Sequence, residues 1–152
     1  MRVDHIAIAV KNVEEALKNY QKILNVDELE IEEVPNEKVK VAMLMLQDTR
    51  IELMEPTSPD SPISKFLEER GEGIHHIAIT ADDIEKDVAR ASANGMRMLG
   101  GLRRGDLAAI RHNVRLLRAT TGGQLIAIVK AAGARHKKKP IFACSLLLGL
   151  YT

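Results

Sequence analysis

The sequence predicts an α+β fold built from two consecutive βαβββ modules. Two observations carry this prediction: the first 56 residues follow the order strand, helix and three strands, and part of that pattern returns 71 residues later. A third observation supports a folded core, because the 152 residues are 45 % hydrophobic and 28 % charged. This composition excludes a disordered chain or a collagen-like fibre.

The first strand and the first helix have clear local signals. Residues 2–10 alternate apolar with small or polar side chains, as a strand does when one face is buried. Asn12 can cap a helix that starts directly afterwards, and Glu15 can complete a capping box. Apolar residues then recur on one helical face, namely Val13, Ala16, Leu17, Tyr20, Ile23 and Leu24.

Three strands and a connecting segment complete the first module. The β-type stretches are residues 29–34, 39–46 and 50–54, and turn-forming residues separate them. The connection at 55–72 begins with a Pro- and Ser-bearing stretch, which is typical of a crossing between modules. A short helix is predicted within it from the spacing of Ile63, Phe66 and Leu67.

The repeat defines the second module. A shift of 71 residues places the sequence HIAI at 76–79 on HIAI at 5–8, and it places Asp83 on the helix cap Asn12. We therefore predict a single domain with the following divisions: the domain at 1–130, module one at 1–56, a linker at 57–73, module two at 74–130, and an unmatched basic and apolar tail at 131–152.

The later part of module two follows the strand pattern less well. Strands are predicted at 96–99 and 124–129, with a turn at 121–123 before the second of them. The stretch at 114–117 fits either a further strand or part of a basic helix. We therefore expect the second module to be partly degraded relative to the first.

The charge distribution changes at the same place. Residues 1–93 hold 20 acidic and 11 basic residues, whereas residues 94–152 hold one acidic residue against 11 basic ones, so the net charge of +1 hides two opposite parts. A basic part can bind a polyanion. The alternative is an altered C-terminal segment, for which a reading-frame change is one hypothesis.

Cysteine content and hydropathy indicate the compartment. The single cysteine, Cys144, excludes a disulfide framework within the chain, so a reducing, cytoplasmic setting is expected. The longest apolar run, at 141–151, is shorter than the roughly 20 residues that a membrane-spanning helix needs. We therefore expect no membrane span.

Three side chains are candidates for metal binding. His5 and His76 have the same register in the two repeated strands, and Glu52 lies within the apolar strand sequence IELM. A buried carboxylate is costly unless it is paired or binds a metal, and two imidazoles with one carboxylate suit a divalent ion. The alternative is that these histidines are only hydrogen-bonded. Strand alternation sends one histidine of the pair 75–76 inward, so His75 is expected on the surface or beside the site.

Three sequence segments resemble a known family. DHIAIAVKNVEEALKNY, IELMEPTSPDSPISKFLEERGEGIHHIAI and the later TGG-x-LI are similar to the methylmalonyl-CoA epimerases of the vicinal-oxygen-chelate (glyoxalase/bleomycin resistance/dioxygenase) superfamily, over about residues 1–99. The resemblance implies the paired βαβββ fold of the glyoxalases. It also implies a divalent metal (Co, Mn, Ni, Zn or Fe) held by His5, Glu52 and His76.

The resemblance implies an activity, but this chain lacks two features of the family's sequence pattern. Members of this family interconvert the R and S forms of methylmalonyl-CoA at C2 through a metal-stabilised enediolate, with Glu52 here as the catalytic carboxylate. The family's fourth ligand is a glutamate in the final strand, where this chain has Ala127. The family's His-Pro before the TGG turn is also missing, since residues 117–119 read Leu-Arg-Ala. The loss of a ligand that is also a base is expected to cost several orders of magnitude in rate.

The expected partners follow from the same resemblance. An acyl-CoA is the implied substrate, a homodimer is the implied assembly, and neither a membrane nor nucleic acid is expected as a partner. Other metalloenzymes of the superfamily remain alternatives, either glyoxalase I (lactoylglutathione lyase) or a dioxygenase with iron bound to two histidines and one carboxylate. A non-catalytic module whose basic part binds a polyanion is the third interpretation.

Overall fold

A computed structural model of the chain describes residues 2–24, 31–98, 114–118 and 125–130. Within these residues the elements, in chain order, are β1 (Val3–Ala9), α1 (Val13–Leu24), β2 (Ile31–Val34), a 3-10 turn (Pro35–Glu37), β3 (Val39–Met45), β4 (Arg50–Pro56), α2 (Pro62–Arg70), β5 (Gly73–Ala81), α3 (Ile84–Ala93), β6 (Arg97–Met98), β7 (Val114–Arg118) and β8 (Leu125–Lys130).

The strands form one sheet whose two halves have the same connectivity. The strand order is β2-β3-β4-β1-β5-β8-β7-β6. In each half the first strand is parallel to the last, β1 to β4 and β5 to β8, while the remaining neighbours are antiparallel. The halves meet where β1 and β5 pair in antiparallel fashion at the centre. This arrangement confirms the prediction of paired βαβββ units in a mixed α+β fold.

Helix α1 begins where the sequence predicts it. The side-chain oxygen of Asn12 accepts a hydrogen bond from the backbone N–H of Glu15 at 2.7 Å, and the Glu55 carboxylate accepts one from the N–H of Val13 at 2.7 Å. Two N–H groups that have no partner within the helix are thereby satisfied. The apolar face of α1 packs on one face of the sheet in a cluster that comprises Val10, Val13, Leu17, Ala42, Leu44 and Leu53.

Helix α2 covers the opposite face of the same strands. Ser61 caps it through a hydrogen bond from the N–H of Ile63, which confirms the helix predicted in the linker. Ile63 and Phe66 pack against Ala7, Ala9 and Met54. These three strand residues alternate with those under α1, so the first half of the sheet is buried on both faces.

The second half keeps the predicted strand order. Residues 114–118 form a strand and not a basic helix, and Asp83 caps α3 by accepting a hydrogen bond from the N–H of Lys86 at 3.2 Å. The predicted turn at 121–123, the tail at 131–152 and the start of the predicted strand at 29–34 lie outside the described residues. The second half therefore has its four strands, β5 to β8, within the described residues. No helix in the described ranges is both long and apolar enough to cross a membrane.

One pair of substitutions tests this packing. Leu53→Ala is expected to lower the free energy of unfolding by about 2–5 kcal/mol, because Leu53 lies on β4 and is completely buried against α1. The control Ile23→Ala removes an aliphatic side chain that is 79 % exposed, so a change within about 0.5 kcal/mol is expected. Urea unfolding followed by circular dichroism measures both values, and equal effects would contradict the packing described above.

Candidate metal centre

Three adjacent strands place the predicted ligands on one face of the sheet. Ala7 on β1 pairs with Glu52 on β4 and with His76 on β5, so these three residues form a row across the sheet. His5 lies two residues from Ala7 and therefore on the same face. Because Ala7 has only a methyl group, the longer side chains on either side of it can meet above the strand. The structure thus brings together all three residues of the predicted metal set.

The distances within this cluster fit a shared cation. His5 Nε2 lies 3.3 Å from His76 Nε2 and 3.8 Å from Glu52 Oε2, and one potential ligand atom from each residue lies within 4.8 Å of the others. Two ligands held at about 2.1 Å from one ion lie about 3.0–3.4 Å apart. The contact between the two imidazole nitrogens lies within this range, and the contact of His5 with Glu52 at 3.8 Å lies beyond it.

Burial sets the protonation state of His76 within this donor set. His5, Glu52 and His76 are each at most 1 % exposed. Burial, together with the neighbouring His75 and His5, holds the pKa of His76 well below its usual value, so this ring is neutral at pH 7. A neutral imidazole is the form that binds metal. Two histidines and a carboxylate can bind Fe, Co, Ni, Mn or Zn, so the residues present fit the ion that the resemblance implies.

Strand β8 brings residue 127 into a second row. Ala127 pairs with Ala78 on β5, and Ala78 pairs with His5 on β1. This row repeats the first one, in which Glu52 pairs with Ala7 and Ala7 pairs with His76. Residue 127 therefore occupies in the second half the place that Glu52 occupies in the first. Alanine has no ligand atom. Three of the four implied ligand positions therefore hold a side chain that can bind an ion.

Two residues beside His5 were not predicted from the sequence. The Asp4 carboxylate accepts a hydrogen bond from His5 Nδ1 at 2.8 Å and another from the Arg50 guanidinium. Burial raises the pKa of Asp4, but the hydrogen bond from His5 and the charge of Arg50 outweigh it, and the pKa lies below its usual value. Asp4 is therefore ionised at pH 7. The available signal was its position directly before a candidate ligand.

His75 is buried, which corrects the expectation of a surface residue. It is 1 % exposed, its Nδ1 lies 2.8 Å from His76 Nδ1, and its ring meets the Phe66 ring edge-on at 5.0 Å between centroids. Burial, with a smaller contribution from the charge of Arg70, lowers the pKa of His75 to about 4. The alternation argument failed because the pairing of β1 with β5 changes register at this point. The other expectation, a position beside the site, is confirmed.

Comparison with known proteins identifies the class to which the chain belongs. Residues 4–113 match the family described as the Glyoxalase/Bleomycin resistance protein/Dioxygenase superfamily, and the chain is a member of that superfamily.

Similar proteins within the superfamily include epimerases and an uncharacterised protein. The chain is 35 % identical over 98 residues to the uncharacterized protein YqjC of Bacillus subtilis (64 % of this chain, 70 % of that protein). It is 37 % identical over 100 residues to an ethylmalonyl-CoA/methylmalonyl-CoA epimerase of Cereibacter sphaeroides (65 % and 75 %). Among solved structures, a single-residue variant of the Streptomyces coelicolor methylmalonyl-CoA epimerase in complex with 2-nitronate-propionyl-CoA has a TM-score of 0.72 and 30 % identity, covering 87 % of this chain and 98 % of that one.

The match to other relatives is shorter. The chain spans 56 % of the length of the human and mouse mitochondrial methylmalonyl-CoA epimerases, to which it is 36 % and 33 % identical. The matched region again covers 64 % of this chain. The sequence match to these two mitochondrial epimerases therefore concerns about two thirds of the chain.

Proposed function

We propose that the protein is a metal-dependent epimerase that interconverts the R and S forms of methylmalonyl-CoA at C2. The observation that carries this proposal is the convergence of His5, Glu52 and His76 in a member of a superfamily whose similar proteins include methylmalonyl-CoA epimerases. His5, Glu52 and His76 would hold the ion. A bound divalent cation would supply positive charge that stabilises negative charge developing on the thioester oxygen.

Glu52 provides the proton acceptor in this proposal. A carboxylate has two oxygens, so one can bind the ion while the other takes the proton from C2 of the substrate. Glu52 lies among apolar neighbours on β4 and is 1 % exposed. Exclusion of water strengthens the electrostatic interactions of such a group with a substrate. His5 and His76 bind and orient, and they take no proton from the substrate.

Inversion requires a second proton-transfer group on the other face of C2. In the strand pairing, residue 127 corresponds in the second half to Glu52 in the first, but alanine can neither donate nor accept a proton. We therefore expect proton exchange on the face that Glu52 reaches to be faster than full epimerisation. This difference distinguishes the protein from an epimerase with carboxylates at both positions.

Deuterium exchange tests the proposal directly. The full chain would be loaded with Co²⁺ and incubated in D₂O with each epimer of methylmalonyl-CoA separately, while NMR follows loss of the C2 proton. We expect incorporation that requires Co²⁺, with one epimer exchanging faster than the two interconvert. Absence of exchange in protein that has bound Co²⁺ would refute the proposal, as would turnover of a glutathione hemithioacetal or of a catechol with O₂ in its place.

A further inference from the structure

We propose that Asp4 and His75 are positioning residues, which hold the Nδ1 atoms of His5 and His76 so that both Nε2 atoms face the candidate metal centre. The proposal rests on the metal binding proposed above and extends it to two residues that do not themselves bind the ion. Each ligand histidine is bonded through Nδ1 to the residue that directly precedes it, in both cases at 2.8 Å. The two Nε2 atoms lie 3.3 Å apart.

The pairing of β1 with β5 explains how neighbouring residues reach the same place. Successive side chains of a regular strand point to opposite faces, so a residue and its predecessor do not normally meet. The β1–β5 register shifts between Val3 and His5, where Asp4 is the additional residue, and between Ala7 and Ile8, where His75 is the additional residue on β5. Shifts of this kind redirect side chains and are frequent beside functional sites.

The two register shifts are equivalent in the repeat. The offset of 71 residues that places His76 on His5 also places His75 on Asp4. Each half of the sheet thus contributes one ligand histidine and, directly before it, one hydrogen-bond acceptor for that histidine. A chance contact in one half does not account for the same arrangement in both.

In the first half the acceptor is a fixed carboxylate. Arg50 lies opposite His5 in the pairing of β1 with β4, and its guanidinium donates to the same Asp4 oxygen that accepts from His5 Nδ1. A carboxylate bonded to the distal nitrogen fixes the tautomer of a ligand histidine and raises its basicity. Arg50 fixes the carboxylate in turn, so His5 presents Nε2 to Glu52 and His76.

In the second half the acceptor is a neutral imidazole. His75 is buried against Phe66, and in its neutral form it carries one ring proton, which leaves one nitrogen able to accept. We assign the contact as His76 Nδ1–H donating to His75 Nδ1. A neutral acceptor raises the basicity of its partner less than a carboxylate does. His5 is therefore expected to be the stronger of the two histidine ligands.

The first readout is the position of the ring protons in metal-free protein. Two-dimensional ¹⁵N–¹H NMR of labelled histidine reports whether Nδ1 or Nε2 carries hydrogen. We expect hydrogen on Nδ1 of both His5 and His76. The contact of their Nε2 atoms at 3.3 Å is a hydrogen bond only where one Nε2 carries a further proton, and that proton does not change the expectation for Nδ1. Asp4→Leu should shift the proton of His5 alone to Nε2, and His75→Leu should do so for His76 alone. Unchanged ring protons in both variants would overturn the proposal, whether or not the protein is an epimerase.

The second readout is Co²⁺ affinity, measured by titration. Each leucine variant is expected to lose about 10–100-fold in affinity, with the larger loss for Asp4→Leu. His75→Asn should restore most of the affinity, because the side-chain oxygen of asparagine takes a place close to that of Nδ1. The control Asp48→Leu replaces an exposed aspartate and should change nothing.

Each result decides between positioning and general structural support. If His75→Asn and His75→Leu lose equal affinity while both retain the wild-type circular dichroism spectrum, His75 supports packing only and the proposal fails. If a leucine variant does not fold, the asparagine variant and the wild-type ring protons still provide the test. Wild-type protein with protonated Nδ1 atoms but no Co²⁺ binding would contradict the proposed function and leave the positioning intact.

Discussion

Ala127→Glu is expected to raise the rate of methylmalonyl-CoA epimerisation by about 10²–10⁴-fold, the usual contribution of one general acid or base. The pairing of β8 with β5 places residue 127 where the second half of the sheet repeats the position of Glu52. In the proposed mechanism, a carboxylate there would add a fourth ligand and a proton-transfer group for the second face of C2. Circular dichroism of the substrate, or a coupled assay specific for one epimer, measures the rate.

Ala127→Gln provides the matched control for that experiment. Glutamine supplies an oxygen ligand of the same length but cannot accept a proton from carbon. We therefore expect it to tighten Co²⁺ binding without a comparable gain in epimerisation. If glutamate and glutamine at 127 gave the same rate, the role of this position as a base would be refuted. If neither changed Co²⁺ affinity, residue 127 would not be a ligand position.

Glu52→Gln is expected to reduce deuterium incorporation at C2 by about 10²–10⁴-fold while Co²⁺ still binds. The amide oxygen can replace the carboxylate as a neutral ligand beside His5 and His76, but the proton acceptor is lost. Exchange in D₂O and Co²⁺ titration on the same sample separate the two roles. Glu52→Ala should lose both binding and exchange.

The control for Glu52 is a glutamate away from the site. Glu68→Gln changes an exposed residue of α2 and should leave exchange and Co²⁺ affinity at the wild-type values. Full exchange activity in Glu52→Gln would show that Glu52 acts only as a ligand. Another group would then have to take the C2 proton.

Local sequence patterns predicted most of the fold. The cap at Asn12, the helical spacing after it and the repeat of HIAI fixed the order of elements, and the structure has that order with shifts of one or two residues at element ends. The strand at 114–118 could not be predicted uniquely, because five residues with two arginines fit either a strand or a helix. Its antiparallel pairing with β8, the next strand along the chain, decides in favour of the strand.

The sequence indicated the three residues of the candidate cluster but not the residues around them. His5, Glu52 and His76 could be found because a repeated histidine and a carboxylate in an apolar strand are unusual in sequence. Asp4 and His75 were missed because strict alternation assigns them to the other face. A register shift depends on how two strands distant in sequence pair, so the pattern within either strand alone does not reveal it.

Because β1 and β5 pair at the centre of the sheet, the candidate site is formed by residues from both halves. His5 and Glu52 belong to the first half and His76 to the second, so neither half contains the full ligand set. An ion bound there would act as a crosslink across the centre of the sheet, and at 100 times its dissociation constant it would add about 2.7 kcal/mol to the stability of the folded chain. Metal binding and the pairing of the two halves are then thermodynamically coupled.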